Sequence, residues 1–113
     1  MKTKAELVKG IIYSILDIVE YIPNSIISKS IVKKTTGSIT VTAMDKGQEL
    51  IRKIIPFDSF VQIIDGAVEL RIDDTSLFLK SGDDIVIPAN AEYSFIANEQ
   101  FKMITTIIKS GYE

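Results

Sequence analysis

Residues 47–66 read GQELIRKIIPFDSFVQIIDG, and residues 82–97 read GDDIVIPANAEYSFIA. Both stretches begin at a glycine and alternate short runs of β-branched or aromatic residues with Gly, Pro, Asn or Asp. Such runs favour strands, and the residues between them favour turns. These two stretches therefore predict short strands joined by tight turns, and they are the part of the chain from which its fold can be inferred.

The same pattern extends to both sides of these stretches. Strands are expected over residues 26–34, 38–44, 52–55, 59–64, 67–72, 77–80, 85–87, 93–96 and 101–108. Turns are expected at Thr35-Thr36-Gly37, Asp65-Gly66, Asp73-Asp74 and Ser81-Gly82-Asp83-Asp84. Many short strands at this regular spacing predict an all-β barrel or sandwich.

The strand expected over residues 38–44 has two different faces. Its apolar residues alternate with hydroxyl residues: Ile39, Val41 and Ala43 against Ser38, Thr40 and Thr42. Because neighbours along a strand point to opposite sides of the sheet, one face of this strand is apolar and the other is polar.

Residues 7–22 precede the strands and repeat apolar residues at steps of three and four: Leu7, Val8, Ile11, Ile12, Ile15, Leu16, Val19 and Ile22. This spacing predicts an amphipathic helix that ends before Pro23. We therefore expect residues 1–24 to form an N-terminal helix and linker, and residues 25–113 to form one barrel domain. Charged residues interrupt the apolar run, so neither a signal peptide nor a membrane span is expected. A membrane-surface helix is disfavoured because the polar face lacks an excess of Lys and Arg.

The 113 residues include no histidine and no cysteine, and their formal net charge is -2. Zinc, copper and non-haem iron sites therefore lack their commonest ligands, and catalytic centres based on histidine are excluded. The small negative charge gives no electrostatic basis for binding nucleic acid or an anionic membrane. The absence of cysteine fits a cytoplasmic protein.

The spacing of the two stretches resembles that of the two conserved motifs of the cupin family. Residues 47–66 keep the spacing of the first motif, and Gly82 and Pro88 keep that of the second, in which Asn90 stands where the family usually has glycine. From about residue 25 to residue 109 the chain resembles a small single-domain cupin of the conserved-barrel type. The resemblance implies that the expected N-terminal helix is followed in the chain by a double-stranded β-helix, or jelly-roll barrel. It also implies pairing into a homodimer.

Four positions in these motifs usually hold His, His, Glu and His in the cupin family, and those side chains bind a divalent metal. This chain holds Lys53, Ile55, Ser59 and Tyr93 at the matching positions. Because the spacing is kept while the ligands are lost, we expect a retained barrel with no metal and no other cofactor. If the barrel is built as the resemblance implies, these four side chains point into its mouth and form a binding site for a small anionic or hydroxylated molecule.

Three functions remain open for such a barrel. The first, which we expect, is binding or sensing a small molecule with no catalytic residues, and the second is action through protein–protein contacts. The third is a metal-independent isomerase or lyase that uses Lys53 and Tyr93, or a Ser59–Lys53 pair, because a lysine made neutral by burial can act as a base or nucleophile. A purely structural role would have Lys53 extend its ammonium into solvent and Tyr93 pack as an aromatic side chain.

Overall fold

The computed structural model describes residues 6–52 and 54–111, with the backbone alone for Arg52. These residues form a short 3-10 helix at Ile15–Asp17 and eight strands: β1 Ile26–Lys34, β2 Gly37–Met44, β3 Glu49–Arg52, β4 Asp58–Ile72, β5 Thr75–Lys80, β6 Asp84–Ile87, β7 Tyr93–Ile96 and β8 Phe101–Ile108. All of the strand pairings are antiparallel. The all-β prediction is therefore confirmed.

Strand β4 joins the two halves of the barrel. The strand order is β1-β2-β8-β4-β7-β3, and β5 and β6 also pair with β4. The first part of β4 pairs with β6 and β8, whereas the part after Gly66 pairs with β5 and β7. The sheet therefore curls at β4, and its two halves face each other as in a jelly roll.

The prediction of a hairpin turn at Asp65-Gly66 is wrong. Both residues lie inside β4, and the pairing with β8 is irregular between Ile63 and Asp65. Gly66 has a φ of 72°, and a Cβ atom there would lie 1.9 Å from the carbonyl oxygen of Gln100. The glycine therefore permits a close backbone approach where β4 passes from one half of the sheet to the other.

The other turns are confirmed, at residues 35–36, 73–74 and 81–82. Asp73 has a φ of 51°, and its carboxylate accepts a hydrogen bond of 3.2 Å from the backbone N–H of Glu92. Aspartate tolerates the positive φ of this turn, and its carboxylate joins the turn to the loop before β7. The strand expected over residues 52–55 lies earlier, at Glu49–Arg52, because these residues pair in register with β7.

The predicted N-terminal helix is absent from the described part of the chain, which contains only the 3-10 turn. Residues 8–22, here called the strap, instead cross the outside of the barrel. Gly10 has a φ of 79°, which no right-handed helix accommodates, and seven of the fifteen strap residues are β-branched, which lowers helix propensity. Of the eight residues on the expected apolar face, only Val19 is buried, and Ile12 is 98% exposed.

The strap packs on the outer face of β1, β2 and the first part of β4. Val19, Ile18 and Tyr21 contact a cluster that consists of Ile27, Ile31, Val41, Ala43 and Ile64. The Glu6 carboxylate, just before the strap, accepts a hydrogen bond from the backbone N–H of Lys33 on β1. Contacts with the sheet therefore replace the internal hydrogen bonds that a helix would have made.

The main core lies between the two halves of the sheet. Its buried members are Met44, Val61, Ile63, Val68, Leu70, Leu79, Ile87, Ala91, Tyr93, Phe95, Ala97, Phe101 and Met103. These side chains come from β2, β4, β5, β6, β7 and β8 and the loops beside them. The core therefore holds both halves of the sheet together and is not confined to one hairpin. In the described residues, no helix is long and apolar enough to cross a membrane.

Candidate functional site

Three of the four expected ligand-binding residues lie at one end of the barrel, and Lys53 lies outside the described residues. Ile55 is half-buried in the loop between β3 and β4. Ser59 is the second residue of β4 and is 1% exposed, and Tyr93 is the first residue of β7 and is 4% exposed. Tyr93 pairs with Arg52 at the start of the same loop.

Two hydrogen bonds hold the loop before β4 against the loop that precedes β7. The backbone N–H of Asn90 donates to the carbonyl oxygen of Ile55 at 2.7 Å, and the N–H of Ala89 donates to the carboxylate of Asp58 at 2.8 Å. Asn90 has a φ of 70°, which asparagine tolerates better than most residues. These bonds place the two motif loops at the same end of the barrel.

The ring of Tyr93 is part of an aromatic row. It meets the ring of Phe95 edge-on, with centroids 5.8 Å apart and planes at 85°. Phe95 in turn lies 6.4 Å from the ring of Phe101. Such contacts stabilise the core by about 0.5–1.5 kcal/mol per pair beyond the burial of area. Tyr93 therefore forms part of the apolar wall of the barrel interior.

The described residues at the motif positions do not fit a transition metal. Ile55 has no donor atom, and Ser59 offers a neutral hydroxyl in place of a carboxylate. No group of three or more His, Cys, Asp or Glu side chains in residues 6–52 and 54–111 is placed to hold a metal ion. The donor chemistry on which cupin metal sites depend is thus missing from this part of the chain.

The polar face of β2 points into the barrel, and its apolar face points out to the strap. Val41 and Ala43 contact the strap, whereas Met44, which is on the other face, belongs to the main core. Thr40 and Thr42 lie four and two positions before Met44 and therefore share the inner face with it, because every second residue of a strand points to the same side. The sequence indicated the two faces but gave no sign of which one faced inward.

A row of hydroxyl residues crosses this inner face. Ser30 of β1 pairs with Thr40 of β2, and Thr40 pairs with Thr105 of β8. In the adjacent row, the hydroxyls of Ser28 and Thr42 lie 2.9 Å apart and bond to each other. Thr105 lies on the same face as Met103, so the row faces the barrel interior.

Two of the inward hydroxyls are buried without a hydrogen-bond partner in the described chain. They are Ser59 Oγ and Thr105 Oγ1, on residues that are 1% and 6% exposed. Ser59 pairs with Ile107, and Thr105 pairs with Val61, so the two residues are diagonal neighbours on β4 and β8. Diagonal neighbours have Cα atoms about 7–8 Å apart. Each unpaired buried hydroxyl costs roughly 1–3 kcal/mol.

Sequence reasoning found Ser59 from its motif position and missed Thr105. The signal was available, because Thr105 lies in an apolar strand, between Met103 and Ile107 on the same face. A hydroxyl among residues that otherwise face the core indicates either a buried hydrogen bond or a ligand contact. Its register against Thr40 and its lack of a partner follow only from the fold.

A cleft of about 570 Å³ lies beside the strap and is lined by Tyr21, Asp45, Lys46, Asp65, Gly66, Glu99 and Gln100. The Tyr21 hydroxyl donates to Asp65 at 2.6 Å. Burial, followed by this hydrogen bond and the charge of Asp65, raises the pKa of Tyr21. Asp45 accepts hydrogen bonds from Asn24 and Gln100. Two of the three carboxylates in this cleft are thus already engaged in holding the structure together.

No family model and no curated protein matches the chain. Among solved structures, it is similar to a conserved protein of unknown function from Streptococcus pyogenes, with 28% identity, a TM-score of 0.88, and coverage of 98% of this chain and 97% of that one. It is also similar to a cupin 2 conserved barrel domain protein from Leptotrichia buccalis, with 30% identity and a TM-score of 0.80 over 83% of this chain and 46% of that one. A cupin superfamily protein from Desulfitobacterium hafniense has 16% identity and a TM-score of 0.86 over 96% of this chain and all of that one, and it supports the fold alone.

Proposed function

Because this chain belongs to the cupin superfamily, we propose that it is a metal-free cupin barrel that binds or senses a small molecule rather than catalysing a reaction. The observation that carries this proposal is the pair of buried hydroxyls without partners, Ser59 Oγ and Thr105 Oγ1. Folded proteins pair nearly all of their buried polar groups, so an exception inside a barrel marks a place where a ligand can complete the hydrogen bonds.

The position of Ser59 connects these hydroxyls to the expected site. Ser59 is the second residue of β4, directly after the motif loop that contains Ile55, and that loop is bonded to the loop before β7. In cupins with metal, the same position holds the carboxylate ligand. We propose that Ser59 contacts the ligand with its hydroxyl, that Ile55 and Tyr93 supply apolar and phenolic surface, and that Lys53 supplies a positive charge for an anionic group.

The proposed function can be tested without knowledge of the ligand. Native mass spectrometry of the untagged protein should detect a small molecule bound to it, and a metabolite screen should raise its melting temperature, because a ligand that binds only the folded state stabilises it. Metal analysis of the same sample should find no stoichiometric zinc, iron, nickel or manganese. A stoichiometric transition metal would contradict the metal-free part of the proposal.

Two substitutions test whether Lys53 and Tyr93 contact the ligand. Lys53→Met keeps the length of the side chain and removes its charge, so it should lower affinity for an anionic ligand about tenfold to hundredfold, as expected for a charge-assisted hydrogen bond of ~1.5–3 kcal/mol. Tyr93→Phe should cost about 0.5–1.5 kcal/mol of binding if the hydroxyl contacts the ligand. If both variants bind every ligand of the wild-type protein equally well, these residues do not belong to the site.

Action through protein contacts is the second candidate, and exposed apolar side chains favour it. Phe78 of β5 is 75% exposed, and Ile51 of β3 and Val86 of β6 are also exposed. Scattered apolar residues are normal on a protein surface, so these three side chains mark an interaction site only if a partner covers them. A screen without any melting shift, together with a partner protein whose binding Phe78→Ser abolishes, would favour this function over ligand binding.

A further inference from the structure

We propose that the inner hydroxyl row, defined as Ser30, Thr40 and Thr105, is a subsite for a neutral polyhydroxylated ligand such as a monosaccharide or a linear polyol. The inference rests on the proposed function, since the row extends from the expected site at Ser59 towards the edge strand β1. It adds a chemical class for the ligand and three residues, Ser30, Thr40 and Thr105, that the motif positions do not include.

The register of three strands sets the spacing of the row. Ser30 pairs with Thr40, and Thr40 pairs with Thr105, so the three residues lie side by side across β1, β2 and β8. Neighbouring strands are about 4.8 Å apart, and the row is therefore about 10 Å long. An extended six-carbon polyol presents hydroxyl groups over a similar length, whereas a sugar ring is shorter and would reach two neighbouring members of the row.

The exposure of the row changes along its length. Thr105 and Ser59 are buried, whereas Thr40 and Ser30 are only half-buried although they lie on the inner face. The half-buried end of the row is thus the end nearest β1, which is the edge strand of the sheet. A ligand that enters there would meet the half-buried hydroxyls first and the unpaired ones last.

Purely structural pairing explains only part of these hydroxyls. Ser28 and Thr42 bond to each other, so that pair is satisfied within the protein. Ser59 Oγ and Thr105 Oγ1 have no partner among the described residues, and their burial is a cost that a structural role does not offset. A hydroxyl group both donates and accepts, so a hydroxyl of a ligand can satisfy either of them.

The row favours a neutral ligand. Its three members are uncharged, and the neighbours of Thr105 on the same face are Met103 and Ile107. An anion in such surroundings would lack the cation that offsets its desolvation. Hydroxyl groups cost less to desolvate than an ion and can bond to the row, and the apolar neighbours suit the C–H faces of a sugar ring.

The test is a titration of the full chain with D-glucose, D-mannose, xylitol and myo-inositol, followed by ligand-observed NMR and calorimetry, with D-glucuronate and hexanol as comparison ligands. At least one neutral polyol should bind, and hexanol should not. Thr105→Val and Thr40→Val replace a hydroxyl by a methyl of the same shape. Each should weaken polyol binding about twofold to tenfold, as expected for one lost hydrogen bond.

Matched variants keep this test decisive. Thr106→Val makes the same change on the outer face of β8 and should leave polyol affinity unchanged. Thr105→Ser keeps the hydroxyl and should retain binding, and Ser30→Ala tests the half-buried end if a threonine variant fails to fold.

The outcomes separate this inference from the proposed function. If D-glucuronate binds through Lys53 while no neutral polyol binds, the subsite is wrong and the proposed function stands. If a polyol binds with equal affinity to wild type, Thr40→Val and Thr105→Val, the row is not its subsite. If no small molecule binds in either the polyol panel or the metabolite screen, both proposals are overturned.

Discussion

The Nζ atom of Lys102 lies 2.5 Å from the carbonyl oxygen of Leu16, 86 residues earlier in the chain. Lys102 is on the outer face of β8 and is only 8% exposed, because the strap covers it. The ring centre of Tyr21 lies 5.0 Å from the same ammonium. A carbonyl dipole and an aromatic face thus compensate a cation that burial would otherwise make costly, and they fix the strap to the barrel.

Lys102→Met should loosen the strap while leaving the barrel folded. The global free energy of unfolding should change little, because the variant loses a hydrogen bond and also the cost of burying a charge. Locally, loss of a charged hydrogen bond worth ~1.5–3 kcal/mol should speed amide exchange in the strap about tenfold to hundredfold. The amide of Asp17, which bonds to Ser14, is the reporter. Lys80→Met, on the exposed end of β5, is the control and should leave this amide unchanged.

Gly66→Ala should destabilise the protein by at least about 2 kcal/mol. The positive φ alone costs an L-residue roughly 1–2 kcal/mol, and the new Cβ would also collide with the backbone oxygen of Gln100. Gly82→Ala is the matched control, because Gly82 has a φ of 96° but nothing within 4 Å of a Cβ atom. Urea denaturation should show the larger loss for Gly66→Ala. Equal losses for the two variants would contradict the close approach at the crossing of β4.

Thr105→Val should stabilise the protein in the absence of ligand. The variant removes an unpaired buried hydroxyl and keeps the shape of the side chain, so the free energy of unfolding should rise by about 1 kcal/mol. Thr42→Val is the control, because its hydroxyl bonds to Ser28, and it should lose about 0.5–1.5 kcal/mol. Chemical denaturation measures both changes. A loss of stability in Thr105→Val would mean that this hydroxyl is already satisfied in the folded protein.

Asp45 should contribute to the acid sensitivity of the fold. Hydrogen bonds to its carboxylate, first from the backbone N–H of Asn24 at 2.7 Å and then from the side chain of Gln100, lower the pKa of Asp45 below its ordinary value of 3.8. Because the folded pKa is below the unfolded one, this stability is complete above pH 3.8 and is lost as the pH falls through the folded value.

The test for Asp45 is the free energy of unfolding as a function of pH. In Asp45→Asn, the curve between about pH 5 and pH 2 should be flatter than in the wild-type protein, because the carboxylate that binds a proton on unfolding is gone. Curves with the same slope would show that this carboxylate makes no net contribution.

A homodimer is expected from the exposed apolar residues of the strap. Val8, Ile11 and Ile12 are exposed together with Leu16, and a chain of this size has little other means of covering them. Sedimentation at micromolar concentration should give twice the chain mass of 12.6 kDa. Ile12→Glu should shift the protein to a monomer, whereas Thr36→Glu, in the exposed turn after β1, should not. A clean monomer mass for the wild-type protein would contradict the prediction.

The sequence by itself determined most of the strands and the family. The predicted bounds of β1, β7 and β8 match the structure, because β-branched and aromatic runs bounded by turn residues have few other stable conformations. The spacing of Gly, Pro and Asn in the two motifs fixed the cupin resemblance, since these residues are needed by the backbone whatever ligand the barrel holds. The replacement of the metal ligands was also visible from residue identity alone.

Tertiary structure decided the features that depend on what each segment packs against. The strap has an apolar spacing typical of a helix, yet it lies against a sheet. Val19 and Tyr21 pack on the outer apolar face of that sheet, and the positive φ of Gly10 interrupts any helix. Gly66 follows an aspartate as in a hairpin, but the curl of the sheet makes it a crossing point inside β4. The local sequence of each segment is compatible with both the predicted and the observed conformation. Contacts with residues far away in the chain decide between the two.

The candidate site shows the same division. Ser59 could be found from the motif, whereas the juxtaposition of Ser30, Thr40 and Thr105 comes from strands that are far apart in the chain. The alternation of apolar and hydroxyl residues along β2 showed that one face is polar, but it did not show which face points into the barrel. That choice depends on the strap, whose apolar side chains cover the outer face of β2 and leave the hydroxyl face to the barrel interior.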